Sequence, residues 1–257
     1  MFSSWLCSYR ENDLRRRGQE LIASGKAEVW DEDKTPFRKE LALRGESYKP
    51  QKLFDSPLVG SVRGFLAAED VVVCPGDPKF YYVNLRFPKG EPMKLFRQDT
   101  VGHAWFTTAV TVPVLAEKRP GTTPTTWMSL TPMEMQTQRA AVWLATGTVL
   151  IGGLGLGWLL RKVCEKPSVT RVIVIESNPA LLIWMQARLV TLYPALSKVT
   201  DWLAGDVYDH IGRHGDDTRH LLDIWPTYGC AAWDNKFEAA KGSVKHLWGW
   251  GRSKGRR

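Results

Sequence analysis

Cysteine is scarce and scattered: four residues, Cys7, Cys74, Cys164 and Cys230, with no CxxC pair. A disulfide framework or a thiolate metal site needs clustered spacing, so neither is expected, and the four read as free thiols of a reducing cytoplasm. Near the N-terminus there is no apolar stretch of signal-peptide length, and acids come early in MFSSWLCSYRENDLRRRGQE. Internal repeats are lacking. Acidic residues are fewer than basic ones, 27 against 35, and part of the resulting charge of +8 sits near the ends, in Arg15–Arg17 and in the closing GRSKGRR. Such runs either track a polyanion or form a solvated helix face and a frayed tail. The charge permits a nucleic-acid partner without demanding one. What is present is 257 residues, 44% hydrophobic and 24% charged, enough to bury a full core in one large domain or two smaller ones.

Charge is missing altogether from Ala140 to Leu160, AAVWLATGTVLIGGLGLGWLL. That length could cross a bilayer as a helix. The run holds five glycines, however, and each costs a helix interior about 0.8–1 kcal/mol relative to alanine. An alternating strand and helix pattern also follows it directly. The expectation is therefore the end of a helix, a strand, a glycine turn and a new helix, with no membrane partner.

The first half has no such alternation. Residues 8 to 30 read as a polar helix, followed by a turn-rich stretch to about residue 68. The runs VVVC (71–74), FYYVNLRF (80–87), MKLFRQ (93–98) and AWFTTAVTVPV (104–114), punctuated by Pro and Gly, predict a small antiparallel sheet with hairpins. EKRPGTTPTT (117–126) reads as a linker. The expected organisation is a helical and β-rich region over 1–120, a second domain over 127–251, and a basic tail over 252–257.

In the second half, Thr131 is placed as an N-cap, with Pro132 at the first helical position and Glu134 three residues after the cap. That helix should run to about Ala145. Strands are expected at TVLI, at VIVIE (172–176), at Val199–Ala204, at HLLDIW (220–225) and at VKHLWGW (244–250), with helices between most of them. Alternation of this kind predicts an α/β fold, a Rossmann-like mostly parallel sheet covered by helices.

The chemistry lies at the strand ends. VLIGGLGLG puts Gly153, Gly155 and Gly157 after a strand and before a helix whose free N–H groups face the turn. Glu176, 19 residues beyond Gly157, ends the second strand, where a carboxylate commonly accepts from ribose hydroxyls. Asp206 follows the third strand and Asp223 the fourth. The dinucleotide fingerprint GxGxxG/A fits in neither register, because its last position falls on Trp158 or Leu160.

VLIGGLGLG, VIVIESNP, AGDVYD and LLDIWP together resemble the successive motifs of class I S-adenosylmethionine-dependent methyltransferases, in particular the spermidine synthase-like branch. The resemblance covers about residues 127 to 250. It implies that Gly153, Gly155 and Gly157 line the methionine side of S-adenosylmethionine, with Gly152 in the same cofactor-binding turn. It implies further that Glu176 takes the ribose, Asp206 and Val207 hold the adenine, and Asp223 sits at the reactive centre. Ile151 stands where many methyltransferases carry an acid, and the turn lacks the Asp of true aminopropyltransferases. The seven-stranded family sheet would lack its last hairpin.

Methyl transfer to a nitrogen or oxygen nucleophile is the activity this implies. A non-catalytic binding protein on the same scaffold and aminopropyl transfer are the alternatives. Each residue also has a structural reading: Glu176 as a cap for the helix that Pro179 begins, Asp206 as an N-cap, Asp223 as a turn acid. Trp225, Trp233, Trp248 and Trp250 read as packing residues. His210, His214 and His220 are not spaced as a metal site.

Overall fold

The computed structural model describes residues 2–36, 38–60, 71–97, 100–121, 124–226 and 234–251. The basic tail 252–257, Cys230, Trp233 and the side chain of Cys7 lie outside the described parts. The uncharged run divides as its glycines dictate, into a helix end, a strand, a turn and a helix start. Among the described residues no helix is long and apolar enough to cross a membrane.

In the first half, α1 (Phe2–Ala23) is followed by β1 (Glu28–Val29), β2 (Glu40–Arg44), β3 (Leu58–Gly60), β4 (Val72–Val73), β5 (Phe80–Phe87), β6 (Met93–Arg97), β7 (Thr100–Phe106), β8 (Val110–Glu117) and β9 (Thr125–Ser129). These make two sheets rather than the single antiparallel one expected. One has the order β1-β2-β7-β6, and the other β3-β5-β8-β9 with β4 on β5. The pairs β1–β2, β2–β7 and β3–β5 are parallel. Their partners are far apart in sequence, which a local hairpin reading cannot see. The run 104–114 is cut at Thr107–Ala109 into β7 and β8.

The stretch 117–126 is no linker but the connection of a hairpin. Strands β8 and β9 pair antiparallel, with Val114 opposite Ser129, so β9 completes the N-terminal sheet. The arginines of α1 lie against acids of their own surface: Arg15 on Glu91 at 3.2 Å, Arg16 on Asp13 at 2.6 Å, and Arg17 on Glu40. A solvated, paired helix face is the result. Cys74 and Cys164 are buried free thiols, and burial pushes the Cys164 thiol up to about 12.

The second half runs α2 (Pro132–Leu144), β10 (Gly147–Gly152), α3 (Trp158–Glu165), β11 (Val169–Glu176), α4 (Pro179–Leu192), β12 (Val199–Ala204), β13 (Arg219–Leu222), α5 (Asn235–Ala240) and β14 (Leu247–Gly249). Thr131 caps α2, its hydroxyl accepting from the Glu134 N–H at 3.3 Å. The five strands are all parallel, in the order β12-β11-β10-β13-β14. This is a Rossmann-like α/β sheet. Its winding reverses between β10 and β13, and a crevice opens outside the strand C-termini at such a switch point.

Pleating divides the strand side chains between two layers. Val149, Ile151, Val172 and Val174 join a core continuous with that of the N-terminal sheets, whereas Leu150, Ile173 and Ile175 pack with Trp225 and Phe237 on the opposite face. The halves are also tied by ions. The Arg139 guanidinium on α2 donates to the carbonyls of Asp31, Glu32 and Thr35, and the Glu32 carboxylate meets Arg161 and Lys162 of α3. This latch holds the N-terminal sheets over the end of β10.

Candidate functional site

The switch point is built around the turn after β10. Gly153 donates to the Ile175 carbonyl at 2.8 Å, and Asp223 N–H donates to the Gly152 carbonyl at 2.8 Å, so the ends of β10, β11 and β13 are zipped together. Gly153 has φ +86°, and a Cβ there would stand 2.1 Å from the Asp223 carbonyl oxygen. No side chain fits that position.

Gly155, at φ +50°, lines the cavity at the switch point and also faces the N-terminal sheet. A Cβ on it would meet the Met128 sulfur at 2.4 Å. That sulfur also accepts from the Leu156 N–H at 2.9 Å. The space above Gly155 is thus partly held by β9 of the N-terminal sheet. Gly155→Ala is expected to lower the melting temperature, and Met128→Ala in the same chain to recover part of the loss. The four melting curves should give a coupling of about 1 kcal/mol or more, within the range for contacting residues; strictly additive losses would contradict the contact.

The other two glycines are packing positions. A Cβ on Gly152 would strike Val207 and Leu222, and one on Gly157 would strike Leu189. Neither Gly152 nor Gly157, both expected in the cofactor-binding turn, is among the residues that line the cavity at the switch point. Each lets two elements approach closely instead.

That cavity has a volume of about 630 Å³. Six of the residues singled out from the sequence share its lining: Gly153, Gly155, Glu176, Asp206, Val207 and Asp223. The N-terminal sheet supplies a wall that the sequence did not disclose, made of Phe80, Leu115, Trp127 and Met128. Nothing in the local pattern of β5, β8 and β9 distinguishes these from ordinary inward-facing strand residues.

Glu176 is buried, and its carboxylate gathers three donors: Leu154 N–H at 2.9 Å, Asn178 N–H at 3.0 Å and the Ser177 hydroxyl at 3.2 Å. It therefore fastens the glycine turn to the end of β11. The capping task assigned to it as an alternative belongs to Asn178, whose side chain accepts from Ala180 and Leu181 N–H. Asp206 combines two readings. It caps the short turn that begins at Val207, accepting from Tyr208 N–H at 3.0 Å, and pairs with Lys236 at 2.7 Å. The Lys236 ammonium holds its carboxyl below the usual range.

Across the cavity, Asp234 caps α5 and accepts from the Tyr208 hydroxyl at 2.7 Å and the Trp225 indole N–H at 3.1 Å. Trp225 thus lines the cavity as well as packing on Phe237. Trp248 packs against the core, and the Trp250 indole donates to Thr137.

Asp223 is half-buried at the cavity floor. Burial pushes its carboxyl up to about 7. The Gln138 amide nitrogen donates to its Oδ2 at 2.6 Å. Behind it lies Glu134, which the sequence marked only as a helix-start residue. Its carboxyl is not bonded back to the Thr131 N–H as in a capping box; it is buried, and the N–H and hydroxyl of Ser129 are the polar groups that act on it. Burial, and then the Asp223 charge, raise it well above the carboxylate range. The histidines stay apart from this site: the rings of His210 and His214 stack with centroids 6.1 Å apart, and His220 Nδ1 meets the His246 carbonyl at 3.2 Å.

No family model and no curated protein matches the chain. Solved structures do. The O-methyltransferase TomG of Streptomyces achromogenes is 14% identical over 43% of this chain and 49% of its own, with a TM-score of 0.32. The spermidine synthase of Thermotoga maritima is 15% identical over 52% and 50%, at 0.32. Trm5b of Pyrococcus abyssi is 11% identical over 63% and 46%, at 0.33. The chain spans about half the length of each of these structures.

Proposed function

We propose that the protein is an S-adenosylmethionine-dependent transferase that moves a methyl group to a nitrogen or oxygen nucleophile. The observation that carries this reading is the convergence of four separated motifs on one cavity. The glycine turn, Glu176, Asp206 with Val207, and Asp223 lie at the C-terminal ends of four strands and line a single space. A volume of about 630 Å³ falls within the range of small-molecule sites. The acid-rich lining suits a ligand whose reacting sulfur is a cation.

Oε2 of Glu176 holds one donor, the Leu154 N–H, and keeps a lone pair that can accept from a ribose hydroxyl. Val207, Ile175 and Leu181 offer apolar surface to a purine, and Asp206 offers an acceptor at the same end. S-Adenosylmethionine, when bound, supplies a carbon already activated by the positive sulfur. The protein's own contribution is then to hold the ligand, exclude water and orient the acceptor. Asp223, at the floor of the cavity, would take the proton of an incoming N–H or O–H.

Two observations favour aminopropyl transfer as a second reading. Among the described residues the lining carries Glu176, Asp206, Asp223 and Asp234 against one cation, Lys236, already paired. The Leu156 N–H, a natural donor to a ligand carboxylate, is held by Met128. Both would favour a decarboxylated ligand and an amine acceptor.

Calorimetry with S-adenosylmethionine, S-adenosylhomocysteine and decarboxylated S-adenosylmethionine separates the readings. Micromolar binding of S-adenosylhomocysteine, about −8 kcal/mol, is expected. Tightest binding of the decarboxylated form would move the assignment to aminopropyl transfer, and preferential binding of NADH would refute it.

A further inference from the structure

Gln138 sets a problem of donors and acceptors. Its residue is wholly buried, its amide nitrogen is spent on Asp223 Oδ2 at 2.6 Å, and its amide oxygen is buried without a partner. A buried acceptor left without a donor is destabilising, because it has given up its water and gained no partner. On α2, Glu134 stands one helical turn earlier, and side chains four apart lie on the same helix face. Glu134 is itself buried, and Ser129 is the hydrogen-bonding residue that acts on its carboxyl. Among the described residues, no Lys, Arg or His acts on either carboxyl; Ser129 from β9, Gln138 from α2 and the two acids themselves are the groups that face them.

We propose, resting on the transferase reading above, that Glu134 is a positioning residue which carries the one proton shared by two adjoining carboxyls and donates it to the Gln138 amide oxygen. Gln138 then has a donor for its oxygen and an ionised acceptor for its nitrogen. Its orientation is fixed, and the negative charge of the pair is placed on Asp223, the member that lines the cavity. Two ionised carboxylates that act on each other across the Gln138 amide in a buried setting would repel each other, and one of them stays neutral. In use, the proton of an acceptor N–H or O–H passes to the Asp223 carboxylate and leaves to water. The proton on Glu134 is not consumed.

Infrared spectroscopy of the ligand-free protein, with Glu and Asp carboxyls isotopically labelled in turn, reads this directly. Above pH 7 the wild-type protein is expected to show the carbonyl band of a protonated, hydrogen-bonded glutamic acid, and Glu134→Gln to lack it. Asp223→Asn should keep the band but lose it at a lower pH than wild type, because the neighbouring charge is gone. That second variant decides the matter if Glu134→Gln does not fold.

A band from aspartic rather than glutamic acid, persistence of the band in Glu134→Gln, or an unmoved titration in Asp223→Asn would each overturn the proposal. The measurement involves no ligand. Failure to bind any S-adenosyl compound would therefore defeat the transferase reading without touching this result, and the reverse also holds.

Discussion

Replacing Asp223 with Asn is expected to abolish transfer and to stabilise the fold at alkaline pH. The first effect follows from the role proposed for Asp223 as the base at the cavity floor, a contribution of about a hundred- to ten-thousandfold for a positioned proton acceptor. The second follows from linkage. The Asp223 carboxyl is raised from 3.8 to about 7 in the folded protein, so between those values the native state binds more protons than the unfolded chain. Stability must then fall as pH rises through that window. Each tenfold in proton affinity is about 1.4 kcal/mol, and the carboxyl opens onto a cavity, so part of the effect is screened. A gain of about 2 kcal/mol for Asp223→Asn at pH 8, shrinking towards pH 4, is a reasonable scale. Urea unfolding of both proteins across that range measures it. An Asn variant that is less stable at pH 8 than at pH 4, relative to wild type, would show that Asp223 is ionised at no cost and that its burial has been misjudged.

Glu176→Ala is expected to damage both the fold and the ligand site. The turn loses the carboxylate that holds Leu154 N–H and Asn178 N–H. Each buried donor left without a partner costs roughly 1–3 kcal/mol, so for the two donors a total of about 2–6 kcal/mol in urea unfolding is the expected scale. If the carboxylate also accepts from ribose, its loss removes a charge-assisted bond of about 1.5–3 kcal/mol, a ten- to hundredfold weakening of S-adenosylhomocysteine binding. The two effects are read separately, one by denaturant and one by calorimetry on the folded fraction. Reduced stability with unchanged affinity would leave Glu176 as a fastener of the turn and nothing more. Unchanged stability would contradict the hydrogen bonds themselves.

Local chemistry alone decided much of this protein. Five glycines in the uncharged run, Pro132 and Thr131 at a helix start, and the apolar strands VLIG and VIVIE all act within a few residues of themselves. The parallel sheet, its helices and the strand-end positions of Glu176, Asp206 and Asp223 could therefore be read directly from the sequence. Buried parallel strands are uniform apolar runs and announce themselves. The N-terminal half behaved otherwise. β2 lies in a stretch rich in turn signals, and its pairing with β7 joins Glu40 to His103, a contact without local trace. The same distance effect turned an expected linker into a hairpin that brings Met128 onto Gly155.

The floor of the cavity divides in the same way. Asp223 was visible because it ends a strand, but Glu134 looked like a capping residue, and its N–H is indeed capped by Thr131. Its carboxyl became significant only when the fold buried it and α2 met the end of β13 through Gln138 and Asp223. Burial and the proximity of a second charge are properties of the assembled fold. They set the protonation of the two acids, and no spacing of residues along the chain encodes them.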